Sequence, residues 1–271
     1  MDITVVIPTY NRFEVLQRAL KSVMAQTYQT KEIIVVDDGS TDNTSQITNL
    51  FPNVQYYYQK NSGVSSARNL GIEKSTCKWI AFLDSDDEWM ENKLALHVEF
   101  HKANSNILMS YTDEKWIRDS KEVKIPKKFH KFGGDIFDKC LSHCIIAPSA
   151  TLLHVVLLKE LGDFDESLEV CEDYDLWLRI TCKHKIGFIN KKLITKYGGD
   201  EDQLSTKHWG MDRFRVKALE KLMDLELPIE TKTIVKKTLV KKYELLFKGA
   251  LKYDKISEIK EYKNKIERYQ I

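Results

Sequence analysis

Two aspartates, Asp84 and Asp86, follow the apolar run at residues 79–83. If that run is a strand, the two carboxylates at its end can share one hard cation together with the phosphates of a ligand. Mg²⁺ and Mn²⁺ suit such a site because they prefer oxygen ligands and leave positions open for phosphate. An acidic turn or a helix N-cap would use the same residues, since aspartate favours both. The spacing alone therefore leaves a metal site and a structural turn open.

A second acidic segment begins with Asp37 and Asp38, directly after the apolar run at residues 32–36. The carboxylate of Asp38 can accept a hydrogen bond from the N–H of a nucleobase. The same residues suit a turn in which Gly39 takes backbone angles that other residues avoid. Nucleotide binding and a capped turn are therefore both open at this position.

A polar loop at residues 61–69 leads into a helical pattern and contains Arg68. The N-terminus of a helix attracts anions, and a guanidinium adds a planar set of donors that suits phosphate. Most arginines are exposed, however, so a surface side chain explains Arg68 equally simply. Taken alone, the loop indicates no more than a capped helix start.

Glu172 and Asp173 open another helical pattern. Acidic residues at a helix start are stabilised by the helix dipole, so a structural role is sufficient to explain them. The functional alternative is a general base, because a hydroxyl group is a poor nucleophile until its proton is removed. A carboxylate with that role needs a suitable pKa, which depends on its surroundings.

The elements that must position these residues alternate between strand and helix patterns in the first half of the chain. Apolar runs predict strands at residues 3–7, 32–36, 54–58 and 79–83, and helical periodicity predicts helices at 13–26, 64–74 and 92–103. Such alternation indicates a parallel sheet that is covered on both faces. Ligands of these sheets bind beyond the carboxyl ends of the strands. The segments there are 8–12, 37–42, 61–69 and 84–87.

The second half of the chain is less regular. Its pattern predicts strands at 107–111, 149–153 and 186–189, helices at 134–144, 155–161 and 173–182, and a polar connection at 115–126. From Asp212 onward the pattern is almost entirely helical. We therefore predict an α/β domain over residues 1–210 and a helical, basic C-terminal extension over residues 211–271.

The charge is distributed unevenly along the chain. The formal net charge of +2 gives no indication of nucleic-acid binding. Residues 231–271 nevertheless contain 12 basic and 5 acidic side chains, against 30 and 35 in the rest of the chain. The basic extension is either a solvated helical cap over the sheet or a surface that docks on an anionic membrane or on a lipid-linked acceptor.

The cysteines and the N-terminus indicate an intracellular setting. Five cysteines form no paired framework, which predicts reduced thiols. Cys140, His143 and Cys144 share a possible helix face, but a zinc site would need a second cluster of ligands. No basic leader precedes the first strand, and no run approaches the roughly 18 apolar residues of a membrane span. We expect a cytoplasmic protein, in peripheral contact with the inner face of a membrane if the basic extension docks there.

The polar segments together resemble the family-2 glycosyltransferases of the GT-A fold. The matching segments are Val6 to Arg12, Val35 to Asp42, Ala67 to Gly71, Phe82 to Asp87, and Gly162 to Asp165 followed by Glu172 and Asp173. They stand in the order of the family and cover about residues 1–200 of the chain. Each segment is modest alone, but five segments in order are specific.

The resemblance implies a role for each matching residue. The nucleotide-binding residues would be Pro8, Tyr10, Arg12, Asp38, Arg68, Asp84 and Ser85. Asp86 would bind a Mn²⁺ or Mg²⁺ ion that bridges the diphosphate, and Asp173 would be the catalytic base. The implied donor is a nucleotide-diphosphate sugar, with uracil as the expected base. The reaction would invert the anomeric centre and pass the sugar to the hydroxyl of a glycan or a lipid-linked acceptor.

The sequence departs from the family at two points. Family members often carry a histidine that touches the metal or the diphosphate where Asp200 stands here, and His208 is the nearby residue that would replace it. The Q-x-x-R-W element and the membrane helices of processive synthases are missing from this sequence, which predicts the addition of one sugar per encounter. The patterns predict acceptor specificity in residues 113–150 and beyond residue 196.

Other classes of protein match the sequence less well. A sugar nucleotidyltransferase has a similar core but is expected to carry a glycine-rich loop after the first strand, where this chain has Pro8 to Arg12. No phosphate-loop or dinucleotide-binding glycine motif is present in the sequence. A non-catalytic sugar-nucleotide-binding module would be expected to lack Asp86 or Asp173, and both are present.

Overall fold

The protein, analysed as a computed structural model, is described over residues 1–198 and 210–270. The described strands are β1 (Ile3–Thr9), β2 (Glu32–Asp37), β3 (Gln55–Tyr58), β4 (Trp79–Phe82), β5 (Glu88–Trp89), β6 (Met109–Arg118), β7 (Lys121–Val123), β8 (Thr151–His154) and β9 (Gly187–Gly198). They form a single sheet in the order β3-β2-β1-β4-β8-β6-β9-β5, with β7 paired to β6.

The described helices cover the sheet and continue beyond it. They are α1 (Phe13–Met24), α2 (Ile47–Leu50), α3 (Val64–Lys74), α4 (Lys93–Ala103), α5 (Phe137–Cys140), α6 (Val155–Leu161), α7 (Glu172–Thr181), α8 (Asp212–Asp224), α9 (Ile229–Lys252) and α10 (Ile256–Tyr269). None of the described helices has the length and apolarity that a bilayer-spanning segment requires. The predicted α/β class with a helical C-terminal part is confirmed.

The first half of the sheet is parallel, as the alternation of elements predicts. β1 lies between β2 and β4 and is parallel to both, and β3 extends the parallel arrangement beside β2. Every residue of β1 is buried, which explains its uninterrupted β-branched composition. Gly71 of α3 allows this helix to lie against β1, because a Cβ there would stand 2.3 Å from a methyl carbon of Val6. The start of α3 is thereby fixed close to the carboxyl ends of the strands.

The second half of the sheet corrects several predictions. β6 continues to Arg118 and is followed by β7, where a polar connection was expected over residues 115–126. β9 likewise runs on from the predicted strand at residues 186–189 as far as Gly198. The predicted helix at residues 134–144 is only the four-residue α5. Polar residues concealed these strands, since β6 carries charged side chains from Asp113 onward and β9 contains three consecutive exposed polar residues at 190–192.

The C-terminal helices pack on one another and on the body of the protein. Val235, Leu239 and Tyr243 of α9 belong to the same buried apolar cluster as the strands of the sheet. Lys242 binds the carboxylate of Asp212 at 2.7 Å and the carbonyl oxygen of Ser142 at 2.9 Å. This contact joins α9 to α8 and to the segment after α5. The domain boundary near residue 210 stays a prediction, because residues 199–209 lie outside the described part of the chain.

Candidate functional site

A cleft of about 790 Å³ lies at the carboxyl ends of β1 and β4 and at the N-termini of α3 and α7. Its walls bring together the described residues that the sequence singled out, namely Pro8, Tyr10, Arg12, Asp38, Arg68, Asp84, Ser85, Asp86 and Asp173. Their convergence follows from the parallel pairing, since the strands that precede these segments end at the same edge. Asp200 and His208 lie outside the described residues.

The acidic turn after β4 is held by hydrogen bonds to buried groups. The hydroxyl of Ser149 donates to the carboxylate of Asp87 at 2.6 Å and accepts the backbone N–H of Asp84 at 3.0 Å. Arg18 donates to the backbone carbonyl of Asp86 at 2.6 Å. The turn therefore presents its carboxylates from a fixed backbone.

The carboxylates of the turn face basic side chains across the cleft. Arg12 lies 2.8 Å from a carboxylate oxygen of Asp86. Burial raises the pKa of Asp86, and Arg12 offsets that rise only in part. Burial acts in the same direction on Asp84, but Arg68 and Lys196 hold the pKa of Asp84 below its usual value. Nearby basic side chains therefore compensate the negative charge of Asp86 less fully than that of Asp84.

Lys196 is a site residue that the sequence did not reveal. It lines the cleft from β9, opposite the acidic turn. Burial would lower its pKa, but the carboxylates of Asp87, Glu114 and Asp84 raise that pKa above the usual value for lysine. No local motif marks this lysine, because the long strand that carries it was predicted to end seven residues earlier.

The carboxylates of the cleft can supply part of the ligand set that a divalent cation requires. Within the described residues, no point is surrounded by three or more histidine, cysteine, aspartate or glutamate side chains that could hold a metal. Mg²⁺ is commonly held by one or two carboxylates together with substrate phosphates, and Asp86 and Asp84 offer that smaller set. The raised pKa of Asp86 shows that its carboxylate would gain from an added cation. The residues fit a metal shared with a phosphate ligand rather than one enclosed by protein.

Arg68 connects the acidic turn to α7. Its guanidinium is 3% exposed and binds Asp84 at 2.7 Å and Glu172 at 2.6 Å. Burial raises the pKa of Glu172 to about 7, although Arg68 acts against that rise. The sequence predicted that Arg68 contacts the nucleotide, and this stays a prediction. The structure adds that both terminal nitrogens of Arg68 already bind carboxylates, one of them that of Glu172, for which the resemblance implies no role.

Asp38 holds the loop that leads into α3. One carboxylate oxygen accepts hydrogen bonds from Gln59 at 2.7 Å and from the N–H of Ser62 at 2.8 Å, and the other accepts the N–H of Gly63 at 2.8 Å. These bonds fix the wall of the cleft beside Tyr10, whose ring is 46% exposed. Direct contact between Asp38 and a base stays a prediction.

Asp173 lies in the first turn of α7 and reaches the cleft half-buried. The thiol of Cys144 donates to one of its carboxylate oxygens at 3.3 Å. Burial and the charge of Asp173 together raise the pKa of this thiol well above its usual value, so Cys144 stays protonated. The cysteine that the sequence considered only as a weak metal candidate is therefore a neighbour of the predicted base.

Comparisons with known proteins identify the family of the chain. The family model for glycosyl transferase family 2 matches residues 4–162. The chain belongs to the family-2 glycosyltransferases, and the resemblance seen in its motifs is confirmed.

Among curated relatives, an uncharacterized glycosyltransferase of Rickettsia bellii is 37% identical over 194 residues, which are 70% of this chain and 28% of that protein. The chain thus spans less than a third of the length of that relative. The Escherichia coli glucosyltransferase WfgD, named for UDP-Glc and α-D-GlcNAc-diphosphoundecaprenol, is 31% identical over 75% of this chain and 79% of its own length.

Solved structures show the same fold. Residues 1–349 of Staphylococcus aureus TarS in complex with UDP-GlcNAc superpose with a TM-score of 0.79 and 19% identity, over 99% of this chain and 80% of that one. The same fragment in complex with UDP gives a TM-score of 0.63 with 20% identity, over 99% of this chain and 91% of that one. The predicted GT-A fold class is confirmed.

Proposed function

We propose that this chain transfers a sugar, with inversion, from a UDP-sugar to an acceptor hydroxyl. The observation that carries the proposal is the single cleft that contains the acidic turn of β4 and, on another wall, Asp173 of α7. Support comes from the TarS complexes with UDP-GlcNAc and UDP, and from the UDP-Glc donor in the name of WfgD.

The donor would lie along the strand ends. Pro8, Tyr10 and the loop held by Asp38 form the wall that would receive the base, and Asp84 stands where it would contact the ribose. Arg12, Arg68 and Ser85 would contact the rest of the nucleotide. Asp86, with Asp84, would hold a Mn²⁺ or Mg²⁺ ion, which supplies positive charge to the departing diphosphate when bound.

Asp173 would accept the proton of the acceptor hydroxyl. As the acceptor oxygen bonds to the anomeric carbon, the bond from that carbon to the diphosphate oxygen breaks and its electron pair leaves with the nucleotide. The attack comes from the side opposite the leaving group, so the configuration inverts. A positioned carboxylate contributes about 10²–10⁴-fold to such a proton transfer.

The acceptor class that the relatives support best is a lipid-linked glycan of the cell envelope. WfgD is named for an acceptor attached to diphosphoundecaprenol, and the Bacillus subtilis relative TuaG for teichuronic acid biosynthesis. Exposed lysines on α9, including Lys237, Lys241, Lys248 and Lys252, would favour contact with an anionic membrane surface from the cytoplasmic side.

Calorimetric titration with UDP, with and without Mn²⁺, tests the donor site. We expect UDP binding that depends on Mn²⁺ in the wild type and is lost in Asp86→Ala. Asp135→Ala serves as the matched control, because Asp135 is an exposed aspartate whose side chain pairs only loosely, at 3.6 Å, with Lys185. Equal UDP affinity in the Asp86→Ala variant and the control would refute the metal assignment. A wild type that binds no UDP under any condition would refute the donor.

A further inference from the structure

A second cavity, of about 750 Å³, lies between β6, β9 and the segment at residues 123–133. We name it the distal cavity. The cleft at the carboxyl ends of β1 and β4 is called the donor cleft from here on. Asp113 of β6 lines the distal cavity, whereas Trp116, Ile117 and Arg118 of the same strand line the donor cleft. Three residues of a strand span about 10 Å, so the two cavities are close neighbours along β6.

An irregularity in β9 creates space for the distal cavity. The partner of β6 shifts from Ile189 at Thr112 to Lys192 at Asp113, and then to Ile194 at Glu114. β9 therefore contains three more residues than β6 over this interval. Bulges of this kind bend a strand and redirect its side chains, and they are common beside binding sites. Asn190 and Lys192, from the irregular part, line the cavity.

The opposite wall of the cavity is held in place by the core. The hydroxyl of Tyr111 donates to the carbonyl of Phe132 at 2.7 Å and accepts the N–H of the same residue at 2.9 Å. Gly134 and Ile186 exchange two backbone hydrogen bonds, at 2.8 and 3.0 Å. The segment is thus fixed both to β6 and to the start of β9, and the cavity is preformed.

The lining combines aromatic faces with polar groups. Phe129, Phe132 and Phe188 supply rings, while Asn190, His130 and Asp113 supply donors and acceptors of hydrogen bonds. The C–H faces of a pyranose pack on aromatic rings, and its hydroxyls need polar partners close by. The lining also contains four lysines: Lys192 pairs with Glu122 at 2.9 Å, Lys131 pairs with Glu114 at 3.0 Å, and Lys124 and Lys127 add positive charge. This mixture suits a glycan, including an acidic one, better than it suits an apolar ligand.

An aromatic contact connects the two cavities. The ring of Trp116, in the wall of the donor cleft, lies 5.4 Å from the ring of Phe129, in the wall of the distal cavity. Phe129 also contacts the ring of His143 at 5.9 Å, on the segment that leads to Cys144. A chain of sugars that begins beside Asp173 can therefore pass over these rings without leaving the protein surface.

We propose that the distal cavity binds the glycan of the acceptor, one or more sugars away from the hydroxyl that reacts. The inference rests on the proposed function, because it takes the donor cleft as the place of transfer. It adds a second carbohydrate subsite, formed by the β9 irregularity and by Phe129, that contributes to the choice of acceptor.

The test uses two soluble probes and three variants of the full chain. The probes are the dimer and the trimer of N-acetylglucosamine, with binding followed by saturation-transfer NMR and calorimetry. The variants are Phe129→Ala, Asn190→Ala and the control Tyr253→Ala, which removes a 68% exposed aromatic ring of the C-terminal helices that is not part of the cavity lining. Asn190 is exposed, so its variant tests the cavity even if Phe129→Ala folds poorly.

We expect the wild type and the control to bind at least one probe. Each cavity variant should bind that probe about tenfold more weakly, the typical effect of one lost aromatic or hydrogen-bonded contact. UDP affinity should stay within about twofold in all variants, since none of the three residues lines the donor cleft. Equal probe affinity in wild type and cavity variants would overturn the inference. A wild type that binds UDP but neither probe would also overturn the inference, and the proposed donor site would remain valid. If UDP itself does not bind, the proposed function and this inference fail together.

Discussion

The donor cleft and the distal cavity lie along the same strand, but they are built by different means. The cleft is formed by regular parallel strand ends and contains buried ion pairs such as Arg68 with Glu172, whose side chains are 4% and 7% exposed. The distal cavity is formed by an irregular strand pairing; of its lysines, Lys131 forms a buried pair with Glu114, whereas Lys192, from the irregular stretch, pairs with Glu122 through side chains that are 55% and 52% exposed. The residues that would bind the donor are thus held by buried charges, whereas the charged pair of the irregular stretch is open to water.

The largest effect is expected for the substitution Asp173→Asn, which changes a residue of the donor cleft. The amide keeps the size of the side chain but cannot accept the proton, so we expect kcat to fall about 10³-fold. UDP affinity should remain within about twofold, because the change is confined to the acceptor side of the cleft. Turnover with UDP-GlcNAc and calorimetry with UDP provide the two measurements. Near wild-type turnover would mean that another group is the base.

The second test concerns the buried charges. Arg68→Met leaves Glu172 and Asp84 without their common partner. We expect the free energy of unfolding, measured by urea denaturation, to fall by about 3–5 kcal/mol. The exposed pair in the distal cavity should contribute about 0–1 kcal/mol, as measured by Lys192→Met. The double variant Arg68→Met with Glu172→Gln should recover part of the loss. Equal losses for Arg68→Met and Lys192→Met would contradict the proposed difference between the two regions.

The third test follows the raised pKa of Asp86. A metal binds the ionised carboxylate, so protonation competes with Mn²⁺ at pH values below that pKa. Because burial raises the pKa of Asp86, the Mn²⁺-dependent part of UDP affinity should begin to fall at a higher pH than it would for an ordinary aspartate, whose pKa is about 4. The limiting slope is about tenfold per pH unit. Asp86→Ala should lack the Mn²⁺-dependent part of UDP affinity at every pH, and a Mn²⁺ dependence of the wild type that does not change with pH would contradict the role of Asp86.

The smallest expected effect concerns Cys144. Its thiol donates to the carboxylate of Asp173 and helps to orient it. In Cys144→Ala this donor is lost, and we expect kcat to fall by less than about tenfold, the value of one weak hydrogen bond. Cys144→Ser retains a donor and should restore most of the turnover. An unchanged kcat in Cys144→Ala would show that the contact does not assist Asp173.

The sequence predicted the donor side of the molecule more completely than the acceptor side. The bounds of α3 match the predicted helix at residues 64–74, and the strands β1, β2 and β4 were recognised because two-sided burial keeps them apolar. The contacts of Arg68 could not be predicted, because Glu172 lies 104 residues further along the chain. β7 was missed because it is short and polar, and the second part of β9 because the exposed polar residues at 190–192 interrupt the apolar pattern before the buried Leu193 and Ile194.

The irregular stretch of β9 has a consequence for how the chain tolerates changes in length. In a regular strand, deletion of one residue moves every following side chain to the opposite face. Between Ile189 and Ile194, however, β9 has residues without a partner on β6, so deletion of Lys191 can be taken up within the stretch. Lys196 and Tyr197 would then keep their places in the donor cleft. Insertions and deletions at this position would reshape the neighbouring cavity while the donor-binding half of the protein remains unaltered.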